Sequence, residues 1–137
     1  MTGEMQPQMN ADEHRLRANR ITETIVGSAF TVSNALGCGF VEKVYENALA
    51  IEIRNAGLKV EQQRGVTVRY GGKVVGEFAT DLFVEDCVIV ELKAVTALDD
   101  IHVAQCLNYL KAADLSVGLL LNFGRPRLEV RRVVNRF

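Results

Sequence analysis

The stretch Ala79 to Ala94, ATDLFVEDCVIVELKA, carries the side chains best placed for chemistry. Leu82, Val84, Val88, Val90 and Leu92 are apolar and lie on either side of Glu85-Asp86-Cys87. If those three residues form a hairpin loop, Val84 pairs with Val88 and Leu82 with Val90. All five apolar side chains then share one face, the only register that keeps them together. Asp81, Glu91 and Lys93 fall on the other face with Phe83 and Ile89, and Asp81 stands opposite Glu91. A two-residue turn would shift the register by one and separate the two acids. Opposed residues have Cβ atoms about 5 Å apart. Two carboxylates that close repel, which raises at least one pKa. A hard divalent cation removes the repulsion, and oxygen ligands at this spacing suit Mg2+ or Mn2+. Lys93, two residues beyond Glu91, puts an ammonium where it can orient an attacking water or stabilise a charged, phosphorane-like transition state.

The competing explanation is ordinary. An Asp and a Glu-x-Lys on strands often form exposed salt bridges of little energetic worth. Three features weigh against it here. Glu42, Tyr45, Glu46 and Leu49 share a helical face at spacings of three and four. Gln105 and Tyr109 share another, at i and i+4. Glu91 sits in a strand otherwise built of Val, Ile and Leu, where a charge needs a partner or a purpose.

The elements that must position these residues can be read in order. Residues 1–10 (MTGEMQPQMN) read as a flexible tail, and 11–137 as one domain. From Ala11, the stripe Ile21, Ile25, Ala29, Val32 and Leu36 predicts an amphipathic helix, broken by Gly37 and Gly39. A second helix is expected from about Val41 to Ala56, with Val44, Ala48 and Ile51 as its buried stripe and Gly57 as its stop. Strands follow at Lys59–Tyr70, Lys73–Val84 and Cys87–Ala94, the first two joined by the turn Gly71-Gly72. That Gly pair leads into a strand, not a helix, so it is no phosphate-binding loop. Asp99 or Asp100 caps a helix to about Ala113. Val117–Phe123 is a strand covered on both faces, and Leu128–Val134 an edge strand bearing arginines. The order α-α-β-β-β-α-β-β gives an α/β sandwich with a central mixed sheet flanked by helices.

Composition narrows the class. With 137 residues and 48% hydrophobic residues, the chain can bury a core and is not disordered by composition. No apolar run reaches membrane-span length, and Met1–Asn10 lacks the pattern of a signal peptide, so the expected location is the cytoplasm. The net charge of −1 gives no positive field for nucleic acid. Arg125, Arg127, Arg131, Arg132 and Arg136 cluster near the C-terminus and read either as a local basic patch or as a solvated strand face. Cys38, Cys87 and Cys106 are odd in number and widely spaced, which argues against zinc and disulfide frameworks and for small buried or half-buried residues. His14 and His102 are too few and too far apart for a histidine metal site.

Gly39-Phe40-Val41-Glu42-Lys43-Val44-Tyr45 resembles the motif that names the bacterial GxxExxY protein family. The likeness extends through Glu46-Asn47-Ala48-Leu49, the Asp81 strand, Val90 to Val95 (VELKAV), Gln105 to Leu110 (QCLNYL) and Gly118 to Gly124 (GLLLNFG). It covers roughly residues 20–134. That family is placed in the PD-(D/E)XK nuclease superfamily, so the resemblance implies a restriction-endonuclease-like fold. It further implies that Asp81 and Glu91 are acidic metal ligands and Lys93 the catalytic lysine. Glu42 is similar to the extra helix-borne carboxylate of many members, and the carbonyl of Leu92 to a further ligand. Gln105 and Tyr109 resemble the Q-x-x-x-Y motif of the exonuclease branch, whose helix contacts DNA near the scissile phosphate. Thr80 stands where the superfamily's name expects proline.

Together these readings lead to an expected Mg2+-dependent (or Mn2+-dependent) nuclease acting on DNA rather than RNA. Two rivals remain open. One is a catalytically inactive module of the same fold that binds nucleic acid or assembles into homo-oligomers. The other is a structural oligomer whose carboxylate–lysine cluster is a buried ion-pair network. His102, one turn before Gln105, reads as a surface residue more readily than as a phosphate contact. Tyr45 and Tyr109 are placed to stack on bases, with core packing the better reading for at least one.

Overall fold

The structure, a computed structural model, describes residues 10–136. Its elements are α1 (Ala11–Leu36), α2 (Glu42–Asn55), β1 (Val60–Tyr70), β2 (Lys73–Val84), β3 (Val88–Lys93), α3 (Asp100–Ala113), β4 (Val117–Asn122) and β5 (Glu129–Val134). The five strands form one sheet in the order β1-β2-β3-β4-β5. Only β3 and β4 run parallel, joined by the crossover through α3; the other neighbours are antiparallel. The mixed sheet and the element order are those expected. The tail expected over residues 1–10 falls outside the described residues except for Asn10, whose side chain caps α1 by accepting from the Glu13 N–H.

The alternation along β3 and β4 sorts the core into two halves. Leu82, Val84, Val88, Val90, Leu92, Leu119 and Leu121 face α1 and α2, against Ile21, Ile25, Val32, Tyr45, Leu49 and Ile53. Phe83, Ile89 and Leu120 face the other way, against Cys106 and Leu110 of α3. The stripe of α2 is rotated from the expected one. Tyr45, Glu46, Leu49, Ala50 and Ile53 are buried, whereas Ile51 is exposed and Val44 and Ala48 are only half-buried. Tyr45 explains the rotation. Its ring stacks on Phe123, and its hydroxyl donates to the Gly37 carbonyl while accepting from the Phe40 N–H. A large ring with a satisfied hydroxyl outweighs the smaller valine, alanine and isoleucine. It also ties down the loop between α1 and α2, where Gly37 and Gly39 adopt positive φ. Cys38, expected to be at least half-buried, lies exposed in this loop; Cys87 is half-buried and Cys106 buried.

Both expected turns form. Gly71 and Gly72 have φ of 57° and 78°, the pair of left-handed residues a two-residue hairpin requires. The Glu85-Asp86-Cys87 loop sets Val84 opposite Val88 and Leu82 opposite Val90. Two irregularities were not anticipated, a register shift against β2 between Val68 and Arg69 and the backbone at Gln63. Gln63, inside β1, has φ of 55°. A left-handed residue interrupts the pleat, and the alternation restarts one step out of phase. Glu61 and Arg64 therefore share a face and pair at 3.2 Å, although residues three apart on a regular strand point to opposite faces. Across the hairpin, Phe78 stacks on Tyr109 of α3, whereas Leu82, four residues on, lies in the core under α1 and α2. The change of face falls at Gln63 and Asp81.

The far side of the site is fixed by β4 and the turn after it. Asn122 is fully buried. Its carbonyl oxygen accepts from Val95 and Gly124, and its amide donates to the Val95 carbonyl and to Glu129. Every hydrogen-bonding position of the amide is filled. Gly124 lets the Ala94-Val95 backbone pass so close that a Cβ there would lie 2.4 Å from the Val95 nitrogen and oxygen. At Gly118 a Cβ would meet the Cys106 sulfur at 2.9 Å. Backbone cannot yield as a side chain can, so the two glycines differ in consequence. Gly124→Ala is expected to cost about 3 kcal/mol and Gly118→Ala about 1 kcal/mol. Urea denaturation measures both; equal costs would show that the Val95 backbone shifts freely.

Candidate active site

The site forms where two adjacent strands part. Pairing between β2 and β3 ends at Leu82 and Val90, so Asp81 and Glu91 are not the directly bonded pair the hairpin register implied. Asp81 takes over by side chain: its Oδ2 accepts the Leu92 N–H at 2.8 Å. The carboxylate thereby satisfies a backbone donor that the departing strand leaves unpaired. In an extended strand a residue's N–H and C=O point to the same side. The Leu92 carbonyl therefore faces the same opening as Asp81.

Glu91 is 6% exposed, and its Oε1 is buried with no hydrogen-bond partner. Burial, then the nearby Asp81 carboxylate, push its pKa up from 4.5 to about 9, with Lys93 acting weakly the other way. Ionisation of Glu91 is therefore opposed by both its burial and the charge of Asp81. Lys93 is half-buried on the same strand and has no carboxylate within ion-pair distance among the described residues. A buried carboxyl oxygen without a hydrogen-bond donor and an amine without an ion pair among the described residues thus sit two residues apart. A merely structural ion-pair network would have joined them.

The helix-borne acids divide their tasks. Glu42 is exposed and accepts the Ala94 N–H at 3.2 Å, which ties α2 to the end of β3. Glu46, one turn on, is 3% exposed. Its Oε1 accepts from Gln63, and its Oε2 from Gln62 and Lys43. The Gln63 amide also donates to Asp81 Oδ1 at 3.3 Å. The sequence named Glu42 as the site's helix carboxylate and left Glu46 on its face without a role. The link through Gln63 escaped notice because it depends on the left-handed backbone, which nothing in the residue type signals.

Helix α3 closes the other side. Tyr109 lies against Phe78 at a centroid distance of 3.8 Å. Its hydroxyl pKa is raised by burial and then by the charges of Glu91 and Asp81. Gln105 is exposed on the preceding turn and makes no side-chain hydrogen bond to the described residues. Cys106 sits beneath, its thiol pushed up to about 12 by burial and by Glu91, which keeps it from acting as a nucleophile. His102 is a capping residue: its Nδ1 accepts the Asp99 N–H while Asp99 caps the helix start. Three of the C-terminal arginines have polar partners. Arg125 approaches Glu129, Arg132 donates to Asn19 and Arg136 approaches Asp114.

A divalent cation fits these donors. Among the described residues, no three Asp, Glu, His or Cys side chains converge to enclose an ion by themselves. The residues offer two carboxylates, one with a buried unpartnered oxygen, and the Leu92 carbonyl. Mg2+ keeps several waters and takes one or two carboxylates, so an open, oxygen-only donor set suits it and its close substitutes.

A fold of this order, with acids at the parting of its central strands, defines a class. Residues 19–133 match the model of the PD-(D/E)XK nuclease superfamily, and the chain belongs to that superfamily. Its fold is similar to the crystal structure of SSO0001, with a TM-score of 0.55, 15% identity and coverage of 90% of this chain. The chain spans 62% of the length of that protein. No curated protein matches the chain. No helix among the described residues is long and apolar enough to cross a membrane.

The raised pKa of Glu91 has a sign that stability measurements can read. The unfolded chain loses this proton near 4.5 and the folded chain near 9. Between those values the folded state binds more protons, so stability falls as pH rises. The contribution is fully present below the lower value and lost through the upper one. The melting temperature of metal-free protein is expected to fall across that window, and Glu91→Gln, which imitates the protonated form, to remove most of the slope. A Glu91→Gln protein with the wild-type pH profile would show that Glu91 ionises normally.

Proposed function

We propose that the chain is a metal-dependent nuclease that hydrolyses phosphodiester bonds in DNA. The observation that carries the reading is the buried Glu91 oxygen beside Asp81, without a partner among the described residues, with the Lys93 ammonium on the same strand and in no ion pair among them. The motif around Glu42 and Tyr45 supports a place in the GxxExxY branch of the superfamily. A bound Mg2+ would supply a lowered water pKa and a charge for the phosphate oxygens. Asp81, Glu91 and the Leu92 carbonyl are the groups to hold it.

The remaining work falls to the chain. Lys93 orients the attacking water and compensates negative charge that grows on the phosphoryl oxygens. Asp81 keeps its orientation because the Leu92 N–H holds one of its oxygens. Tyr109 and Gln105 offer a ring edge and an exposed amide on the turns of α3 that border the acids, suited to the strand next to the scissile phosphate. Glu42 holds the backbone just after Lys93. DNA is preferred to RNA on the likeness of the Gln105 and Tyr109 pair to the exonuclease branch.

Asp81→Ala and Glu91→Ala are expected to abolish Mg2+-dependent cleavage while the protein stays folded. Lys93→Ala should keep Mn2+ binding by calorimetry and lose turnover by at least about 100-fold. The assay offers linear, nicked and single-stranded DNA and RNA in Mg2+ or Mn2+. Wild type that cleaves none of them overturns the reading. If it then still binds DNA, a non-catalytic nucleic-acid module remains.

A further inference from the structure

Glu46, Gln62 and Gln63 form a network that the reaction as described does not use. Glu46 is buried at 3%, yet both its oxygens are satisfied, by Gln63 on one side and by Gln62 and Lys43 on the other. Gln62 is held further by Asn47 at 2.8 Å. Gln63 reaches this network only because its backbone is left-handed, at φ of 55°. That conformation is costly for a residue with a Cβ, and such strain collects where a site requires it. The same Gln63 nitrogen then meets Asp81 Oδ1 at 3.3 Å. Both of its neighbours there are carboxylate oxygens, which assigns the amide: nitrogen, not oxygen, must face them.

Asp81 is therefore gripped from two sides. Its Oδ2 takes the Leu92 N–H and its Oδ1 the Gln63 amide. Two bonds to one carboxylate fix its rotation, and the lone pairs not used are left pointing in a set direction. Regular backbone at Gln63 would carry the amide away from both acids.

We infer that Gln63 is a positioning residue for Asp81, with Glu46 as the buried anchor that fixes the Gln63 amide. The inference rests on the metal-binding reading of Asp81 given above. Hydrogen bonds behind a ligating carboxylate set its orientation, and their loss typically weakens a metal site by roughly 10- to 100-fold. Gln63 acts through Asp81 and touches neither substrate nor ion.

The test compares Gln63→Gly with Gln63→Ala. Both delete the amide. Only Gly relieves the left-handed backbone, so the Gly variant should melt at a higher temperature than the Ala variant. Mn2+ binding by calorimetry should weaken in both by a similar factor of roughly 10 or more. A merely structural role would make Mn2+ affinity follow melting temperature, with Gly binding better than Ala. A second readout needs no metal. In the folded, metal-free Gly variant, amide exchange at Leu92 should lose protection, because the Asp81 carboxylate that accepts this N–H is freed to turn. Wild-type Mn2+ affinity in Gln63→Gly, or unchanged Leu92 protection, overturns the assignment. Wild type that binds no Mn2+ overturns the metal reading instead, and the Leu92 exchange still decides the role of Gln63.

Discussion

Everything at this site follows from the cost of holding two carboxyls together with little water around them. A carboxylate as buried as Glu91 is unstable as an anion unless something compensates it, and the neighbouring Asp81 deepens the penalty. The fold does not compensate it with a salt bridge. Among the described residues, Lys93 is close enough to be felt but forms no ion pair, and Glu91 Oε1 is left without a donor. Without a cation the answer is a proton; on the proposed reading, a cation would make ligands of the same oxygens. A hard dication would remove this electrostatic deficit, and its binding would then release protons.

That deficit is built where the sheet is irregular, at Gln63 and Asp81. Away from it β4 is buried on both faces and the two hairpin turns lie in their expected positions, although β1 and β2 shift register once more between Val68 and Arg69. At Asp81 the ladder to β3 stops, and its neighbour across β1 turns left-handed. The opening exposes the donors and acceptors of Leu92, and α2 and α3 reach the gap from opposite faces of the sheet. A regular ladder would have been more stable and would have closed the site. The backbone strain is held by packing that does not depend on it, notably the Tyr45–Phe123 stack and the fully bonded Asn122.

Much of this was legible in the residues. Period-two alternation across Glu85-Asp86-Cys87 fixed the hairpin register, since any other register would have scattered Leu82, Val84, Val88, Val90 and Leu92 over both faces. Asp81 and Glu91 came onto the same side for that reason alone. What failed to show was governed by context. The rotation of α2 turned on one aromatic ring whose hydroxyl found partners in a loop, and helical periodicity weighs a tyrosine no more than a valine. The left-handed Gln63 carries no compositional mark, because glutamine is not a residue type that favours positive φ. With it went the change of face between Leu82 and Phe78 and the link from Glu46 to Asp81. The run Lys59–Tyr70 reads as an uninterrupted strand, in which Val60 and Val68 would share a face, yet Val60 lies under α1 and α2, and Val68 lines a pocket with Phe78 and Tyr109 on the side of α3.

The segment from Leu92 to Val95 shows how such a site is held in register for a reaction. Each successive backbone group is fastened by a different part of the molecule. The Leu92 N–H goes to Asp81 on β2, and the Lys93 carbonyl to the Phe123 N–H beyond β4. The Ala94 N–H goes to Glu42 on α2, and both backbone groups of Val95 to Asn122. No two neighbouring residues rely on the same support, so loosening one contact does not release the strand end. The Lys93 backbone is thereby clamped while its ammonium stays uncommitted. On the proposed reading, no ion pair among the described residues must break before this amine meets a phosphate, although its free tip still has rotamer entropy to lose. The GLLLNFG stretch acquires its meaning from this arrangement. Its Asn, Phe and Gly each grip or make room for the backbone that carries the lysine, and its leucines bury the strand that holds them there.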